Sequence, residues 1–396
     1  MEFKIEFLVV LYIVLLVKQG FCDDLSEYID LTIEEFIEKF GYPVESHEVT
    51  TEDGFTLTIF RIPHGKARKG INKKPILMMH GLFGQADNFI LNAVNNASLA
   101  FLMADNGYDV WLGNTRGNEY GLKHKELDPS DTEFWNFSYH DISLNDLPAT
   151  IDYILQKTKK KKLQYIGHSQ GGTIFFVLTS LKPEYQKKIS LSSLLAPAGY
   201  MGQNKFYKRV LVVKYHKFTE MLLRLSNIVE VPTFSEFTSK GCNNSITLLR
   251  DICELSWHLL WGGNSREVKQ EMLPLILKRT PSVATKQMLH FGQGMASGHF
   301  RPYDYGKTQN IKVYGKEVPD DYPIEKIAVP VAIYYSLADN LVPYEDEEEV
   351  CATIQNCVRK FLMSSGKWTH LDFLFAINLQ KELNEPLLEL ALKYDE

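Results

Sequence analysis

The stretch Gly167-His168-Ser169-Gln170-Gly171-Gly172 decides how this sequence is interpreted. A short strand-like run, residues 162–166, precedes it, and an apolar stretch of helical character, residues 173–181, follows it. A Gly-x-Ser-x-Gly pentapeptide in this context is typical of a sharp strand-to-helix turn that projects the serine hydroxyl. We therefore predict that Ser169 is a nucleophile at a helix N-terminus, where the partial positive charge favours an oxyanion. The alternative is a glycine-rich turn with a structural serine.

The runs on either side of this turn predict the fold class. Residues 75–79 and 330–335 are apolar runs of the same kind, and helical stretches alternate with them. This alternation indicates an α/β fold with a mostly parallel central sheet covered by helices, and the active site then lies at the carboxyl ends of the strands. Between about 200 and 322 the rhythm is lost and apolar helix formers dominate. We predict a core domain in two parts, 23–199 and 323–396, split by a helical cap and lid insertion over 200–322.

A serine nucleophile needs a base and an acid that orients the base. In folds with this turn the chain order is serine, then acid, then histidine. His370 is the only histidine after residue 299, and Asp339 closely follows the apolar run that ends at Tyr335. We therefore predict a catalytic triad of Ser169, Asp339 and His370. Asp372 is the main competitor for the acid, and Glu345 and Asp346 are weaker ones.

The oxyanion of an acyl-transfer intermediate needs two main-chain N–H donors. One should belong to Gln170, the residue after the nucleophile. The other should come from the loop after the first buried strand, where His80-Gly81-Leu82-Phe83-Gly84 stands, and Leu82 is the expected donor. His80 is expected to hold this loop through hydrogen bonds to the backbone.

The N-terminus predicts entry into the secretory pathway. Residues 7–17 form an unbroken apolar run that spans about half a bilayer, and small residues precede a cleavage site after Cys22. We predict a signal peptide over 1–22; the alternative is a buried N-terminal helix or an uncleaved anchor. No other run approaches membrane length, so no span is expected in the mature chain. Sequons at Asn96, Asn136 and Asn243 are predicted glycosylation sites.

Cleavage would leave Cys242, Cys253, Cys351 and Cys357, a set that permits one or two disulfides in an oxidising compartment. Cys351 and Cys357 are six residues apart on a predicted helix and would project to different faces. We therefore do not expect a local disulfide between them.

Composition excludes several classes of function. The chain has 396 residues, 45% of them hydrophobic, and a net charge of −6, so nucleic-acid binding is not expected. Neither a metal-binding His or Cys spacing nor a Gly-x-Gly-x-x-Gly after a strand is present. No metal and no cofactor are expected, and the oligomeric state is left open.

Further motifs follow in order along the chain: Gly41-Tyr42-Pro43, Thr51-Glu52-Asp53-Gly54, His80-Gly81-Leu82, residues 112–118 (LGNTRGN), residues 146–152 (DLPATID), Leu195-Ala196-Pro197, Tyr303-Asp304-Tyr305-Gly306 and His370-Leu371-Asp372-Phe373. Together with the serine turn they resemble the acid lipases, which include gastric lipase and lysosomal acid lipase. The resemblance covers nearly the whole mature chain. It departs from the family around the acid, where Ser336 and Ala338 replace the usual residues.

The resemblance implies an α/β-hydrolase core under a helical cap with a mobile lid. It also implies the triad and oxyanion donors given above, and a cap disulfide between Cys242 and Cys253. The expected substrates are neutral lipids at a lipid–water interface, triacylglycerols with sterol esters as a further candidate, and the expected location is extracellular or lysosomal. The alternatives are a short-chain or signalling-lipid esterase and a non-catalytic lipid-binding protein.

Overall fold

A computed structural model describes residues 25–67, 74–203, 222–223, 226–232, 267–363 and 366–395. The predicted signal peptide, the Cys242–Cys253 pair and the Asn243 sequon lie outside these residues, as does much of the predicted cap.

The centre of the molecule is a sheet with the strand order β1-β2-β4-β3-β6-β7-β10-β11, and β5 pairs with β2 at its side. The six strands β4, β3, β6, β7, β10 and β11 run parallel to one another. The strands β1, β2 and β5 are paired antiparallel. This mostly parallel sheet confirms the predicted fold class. Its strands are β1 (Glu45–Thr50), β2 (Phe55–Ile62), β3 (Pro75–Met79), β4 (Asp109–Leu112), β5 (Lys123–His124), β6 (Leu163–His168), β7 (Ile189–Leu195), β10 (Val331–Tyr335) and β11 (Cys357–Leu362).

Helices cover both faces of the sheet, and two apolar layers separate them from it. All residues of β3, β4, β6 and β10 are buried, because an inner parallel strand packs under helices on both of its faces. The helices are α1 (Ser26–Ile29), α2 (Ile33–Lys39), α3 (Leu99–Asp105), α4 (Tyr139–Asp141), α5 (Leu147–Thr158), α6 (Gln170–Leu181), α7 (Leu273–Lys278), α8 (Thr285–Ser297), α9 (Lys307–Tyr314), α10 (Tyr344–Thr353), α11 (Asp372–Phe375) and α12 (Glu385–Lys393).

The predicted cap range remains a prediction, since much of it is not described. Its described part holds α7, α8, α9 and a small antiparallel ribbon of β8 (Glu230–Val231) and β9 (Val283–Ala284). The parallel sheet resumes with β10 at Val331. Among the described residues, no helix is both long and apolar enough to span a membrane.

The expectation for Cys351 and Cys357 was wrong, because these two residues form a disulfide with Cα atoms 5.4 Å apart. Helix α10 ends at Thr353, and Ile354 is already extended. The chain then turns back, and Cys357 begins β11 beside the helix. The two cysteines therefore lie on different elements that face each other, and the helical spacing assumed from the sequence does not apply.

Candidate active site

Ser169 lies at the turn between β6 and α6, where its backbone adopts φ 52° and ψ −114°. This left-handed conformation is unfavourable for a residue with a Cβ, so the surroundings must hold it in place. The Ser169 N–H donates to the Leu195 carbonyl on the neighbouring strand at 2.9 Å. The serine is thus fixed at the carboxyl end of the sheet and directly before the first turn of a twelve-residue helix.

Three glycines permit the close approach of chains around this turn. A Cβ on Gly167 would lie 2.7 Å from the main-chain carbon of Gly171, across the turn. A Cβ on Gly81 would lie 2.9 Å from the Ser169 Cβ. The first contact explains the glycine before the serine, and a Cβ on Gly171 would collide with the Met79 carbonyl oxygen, which explains the glycine after it. The second shows that the loop after β3 packs directly against Ser169.

The structure brings Ser169, Asp339 and His370 together from three strand ends. His370 Nδ1 lies 2.7 Å from Asp339 Oδ2, and His370 Nε2 lies 2.7 Å from Ser169 Oγ. Because the carboxylate only accepts, Nδ1 carries the proton, and Nε2 of the neutral ring then accepts from the serine hydroxyl. Both the Asp339 and the His370 side chains are almost fully buried. This is the geometry that removes a proton from a serine as it attacks.

Asp339 owes its position to the loop after β10. Its other oxygen, Oδ1, accepts from the main-chain N–H groups of Leu341 and Val342 at 2.8 and 3.0 Å. These bonds keep the carboxylate oriented toward the imidazole. The sequence competitor Asp372 instead accepts from the Thr369 hydroxyl at 3.0 Å and from the Thr369 N–H. Asp346, one of the two weaker competitors, accepts from the Gln203 N–H at 3.1 Å.

The loop after β3 carries the predicted oxyanion donor Leu82. The N–H groups of Leu82 and Gln170 have no acceptor among the hydrogen bonds of the described residues. The Gly84 N–H, by contrast, closes the turn onto the Gly81 carbonyl at 3.0 Å. A small cavity lined in part by Gly81, Phe83 and Gln170 lies between this loop and the start of α6. Gln170 thus lines one space together with Gly81 and Phe83, the residues on either side of Leu82.

A buried polar network holds this loop. His80 Nδ1 donates to the Gly81 carbonyl at 2.8 Å, and His80 Nε2 accepts from Asn118 Nδ2 at 3.2 Å. Asn118 also donates to Asn114 Oδ1 at 2.9 Å, which in turn accepts from the Ala86 N–H. Burial lowers the pKa of His80 to about 4, so the ring stays neutral near pH 7. The network confirms that His80 bonds to the backbone of the loop. It also gives Asn114 and Asn118, which the sequence presented only as part of a motif, a role in holding this loop.

Arg116, in the same motif, joins two other motifs through ion pairs, of which the one with Asp146 is buried and the one with Asp53 is partly exposed. Its Nε lies 2.7 Å from Asp146 Oδ1, and its Nη1 lies 2.6 Å from Asp53 Oδ2. The side chains of Arg116 and Asp146 are 2% and 0% exposed. Burial alone would raise the pKa of Asp53, but hydrogen bonds and charge from Arg116 lower it. Three separated segments that the sequence showed as independent motifs thus form one structural unit behind the loop.

His168, the residue before the nucleophile, contacts His370, and the sequence did not reveal this contact. Its Nε2 donates to the main-chain carbonyl of His370 at 3.0 Å, while its Nδ1 has no partner among the described residues. Burial, with the neighbouring His370 as a second cause, lowers the pKa of His168 to about 3. His168 is the buried last residue of β6, and its partner His370 is distant in sequence. The contact between them could therefore be found only from the three-dimensional structure.

Glu347, on α10, is a second group that the sequence did not single out. It is buried, and neither carboxyl oxygen has a hydrogen-bond partner among the described residues. Burial raises the pKa of Glu347 well above its ordinary value, and the nearby charges of Asp339 and Asp346 raise it further. The carboxyl group is therefore held in its neutral form close to the acid of the candidate triad.

Within the described part of the chain, no group of three or more His, Cys, Asp or Glu side chains is arranged to hold a metal ion.

The strand order and the serine turn define an α/β hydrolase. A family model described as "alpha/beta hydrolase fold" matches residues 74–208, and one described as "Partial alpha/beta-hydrolase lipase region" matches residues 33–93. A solved structure from Sulfolobus solfataricus superposes with a TM-score of 0.60, covering 88% of this chain and 94% of that chain. Its sequence is 14% identical, so this likeness shows the fold alone.

Sequence relatives identify the family. "Lipase 1" of Drosophila melanogaster is 37% identical over 92% of this chain and 81% of that protein. "Lipase member K" of Homo sapiens is 35% identical over 92% of both chains. "Gastric triacylglycerol lipase" of Homo sapiens is 33% identical, again over 92% of both. The chain belongs to the acid lipase family of α/β hydrolases, and its activity is that of a lipase-type carboxylic ester hydrolase.

Proposed function

We propose that this chain hydrolyses fatty-acyl esters of neutral lipids, triacylglycerols first, through an acyl-enzyme on Ser169. The observation that carries the proposal is the hydrogen-bonded series in which His370 bridges Ser169 and Asp339 at 2.7 Å on each side. The choice of substrate is supported by the relative whose name specifies triacylglycerol. Sterol esters are a further candidate substrate.

The reaction follows from the protons that these atoms can move. His370 Nε2 takes the Ser169 proton as Oγ attacks the ester carbonyl, and Asp339 stabilises the imidazolium that forms. The negative oxygen of the tetrahedral intermediate is held by the N–H groups of Leu82 and Gln170. The imidazolium then protonates the leaving alcohol. Water, deprotonated by the same nitrogen, attacks the acyl-enzyme, and a fatty acid leaves with Ser169 restored.

The proposal extends to a lipid–water interface. Leu337, between β10 and Asp339, is 54% exposed on the loop that carries the acid. A single exposed apolar side chain is ordinary on a protein surface, so contact with aggregated lipid is supported here by the relative whose name specifies triacylglycerol, a water-insoluble substrate. Each acyl methylene that is buried contributes about 0.8 kcal/mol to binding. A long acyl chain can therefore be bound through the apolar area that it buries, with few polar contacts. A secreted or lysosomal location is part of the same proposal, and it is supported by the leader-like residues 1–22.

The test is hydrolysis of triolein and cholesteryl oleate emulsions and of soluble acetyl esters, measured across pH 4 to 8. We expect emulsified long-chain esters to be preferred, and Ser169→Ala to abolish turnover while leaving the fold intact. A fluorophosphonate probe should label the wild type at Ser169 and not the variant. Residual turnover by Ser169→Ala that matches the wild type would refute the mechanism. Preference for soluble acetyl esters would instead indicate the short-chain esterase, and absence of both labelling and turnover a lipid-binding protein.

A further inference from the structure

A second cavity, of about 330 Å³, opens beside the start of α8. Its walls come from the turn Thr132–Trp135, the segment that leads into β8, the first turns of α8 and the loop at Tyr303–Tyr305. None of its described lining residues belongs to the candidate triad or to the loop that carries Leu82. The volume lies within the range of small-molecule pockets. The cavity is therefore a candidate ligand site apart from the nucleophile.

Helix α8 separates this cavity from the one beside the oxyanion loop. Val283 and Gln287 line the space next to Gln170, whereas Lys286 and Leu289 line the second cavity. Residues 286 and 289 are three apart and share a helical face, while 287 is rotated by about 100° from 286 and by about 160° from 289. A molecule in the second cavity would thus contact a different face of the helix from a substrate near Ser169.

Most of the wall is apolar. Val229, Leu289 and the rings of Trp135 and Tyr305 line the cavity, and Ile228 stands at its edge, 47% exposed. Such a surface gains free energy by covering an aliphatic chain, in proportion to the area removed from water. An apolar chain is therefore the part of a ligand that these residues would accept.

One positive charge lies in this apolar wall. Lys286 Nζ donates to Asn136 Oδ1 at 2.9 Å and lies 5.0 Å from the centre of the Tyr305 ring. No carboxylate lies within 4.0 Å of it in the described part of the chain. Glu133, the one acid among the described lining residues, accepts from the Asn136 amide nitrogen at 3.0 Å. The ammonium group thus has neutral partners only, and its remaining hydrogen-bonding capacity suits an anion.

We infer that this cavity binds a fatty-acid anion, with its carboxylate at Lys286 and its alkyl chain along Val229 and Leu289. The inference rests on the proposed function in one respect, since a fatty acid is the product of that reaction. A free acid is favoured over an intact ester because only the acid carries the charge that Lys286 lacks. The cavity would then be an accessory product site, occupied as fatty acid accumulates at the lipid surface.

The test measures binding of sodium laurate below its micelle concentration by isothermal titration calorimetry, with the full chain carrying Ser169→Ala. We expect a saturable laurate site whose affinity falls at least tenfold when Lys286→Met is added. Lys312→Met is the matched control, since Lys312 is an exposed lysine on α9 that does not line the cavity. Leu289→Trp, which fills the cavity and leaves the charge, should also abolish this site. Dodecanol, without a charge, should bind with the same affinity to the Lys286→Met and unaltered chains.

The inference is overturned if laurate does not bind, or if its affinity is unchanged by Lys286→Met. It is also overturned if Lys312→Met weakens binding equally, because surface charge alone would then account for the effect. Laurate that binds instead in the acyl site at residue 169 would appear as a component of the calorimetric titration whose affinity does not change with Lys286→Met. None of these measurements needs turnover, so failure of the proposed catalytic mechanism would appear separately, as absent fluorophosphonate labelling of the wild type.

Discussion

His168 Nε2 donates a hydrogen bond to the main-chain carbonyl of His370 at 3.0 Å, so the residue before the nucleophile holds the residue proposed to deprotonate it. The two imidazole rings lie 5.0 Å apart between centroids. The bond links the turn after β6 to the loop after β11 directly, without passing through Ser169 or Asp339. Alignment of His370 with the serine therefore depends on a residue that takes no part in proton transfer.

Replacing His168 should lower turnover more than substrate affinity. His168→Phe removes the donor to His370, and a lost buried hydrogen bond of about 1–2 kcal/mol corresponds to a fall in kcat of about fivefold to thirtyfold. His168→Gln keeps an N–H donor and should recover part of the loss. The measurement is kcat and KM on one soluble ester for both variants. Full kcat in His168→Phe would show that the hydrogen bond does not align the base.

Asp339→Asn and Asp372→Asn should behave very differently, although both aspartates are candidates for the acid of the triad from sequence alone. Asn at 339 presents an amide where a carboxylate should orient His370, and loss of this orientation costs about 10⁴-fold in kcat in comparable triads. Asp372→Asn weakens contacts to Thr369 and should mainly lower the melting temperature. The comparison uses kcat and thermal unfolding on both proteins. Equal loss of kcat in the two would remove the distinction between the candidate acid Asp339 and Asp372, the carboxylate that binds Thr369.

Glu347→Gln should change how stability depends on pH. Folding raises the pKa of Glu347, so the native chain favours the protonated group. Its favourable contribution is complete below the unfolded pKa of about 4.3 and is lost as the pH rises toward the folded pKa, at up to about 1.4 kcal/mol per pH unit. The variant should therefore gain stability relative to the wild type between pH 4 and pH 7.

The measurement is the melting temperature of Glu347→Gln and wild type at both pH values. Glu348→Gln is the control, because its carboxylate is 44% exposed and lies near Lys360. If the difference between Glu347→Gln and wild type is the same at pH 4 and pH 7, Glu347 does not carry the proton.

Removing the Cys351–Cys357 disulfide should lower stability modestly and leave turnover unchanged. The bond closes a short loop between α10 and β11, and loop-closure entropy for so few residues amounts to about 2 kcal/mol. Urea unfolding of the chain with both cysteines changed to serine, compared with the wild type under non-reducing conditions, measures the difference. A pair of free thiols in the native wild type, detected by alkylation and mass spectrometry, would contradict the disulfide itself.

The sheet and its carboxyl edge could be predicted from local patterns. The buried strands β3, β6 and β10 all occur where their residues indicated. Strand ends in a parallel sheet share one edge, so the chain order alone was enough to select Ser169, Asp339 and His370 as neighbours. Their catalytic roles remain predictions until the substitutions above are made.

Other features depend on contacts between distant segments, which periodicity does not encode. The Cys351 prediction failed because the end of α10 at Thr353 has neither glycine nor proline to mark it. Glu347 reads as part of an acidic, solvated run, yet the helix turns it inward. Asn96 and Asn136 are exposed, and their sequon serines cap α3 and α4, but attachment of a sugar stays a prediction.

The order of strands along the chain has a consequence for biosynthesis. The oxyanion loop and the nucleophile follow β3 and β6, but Asp339 and His370 follow β10 and β11, near the carboxyl terminus. While the polypeptide is still being synthesised, the serine has neither its base nor its acid. The candidate triad is therefore complete only when the last two strands join the sheet, and hydrolysis by the proposed mechanism cannot begin before that step.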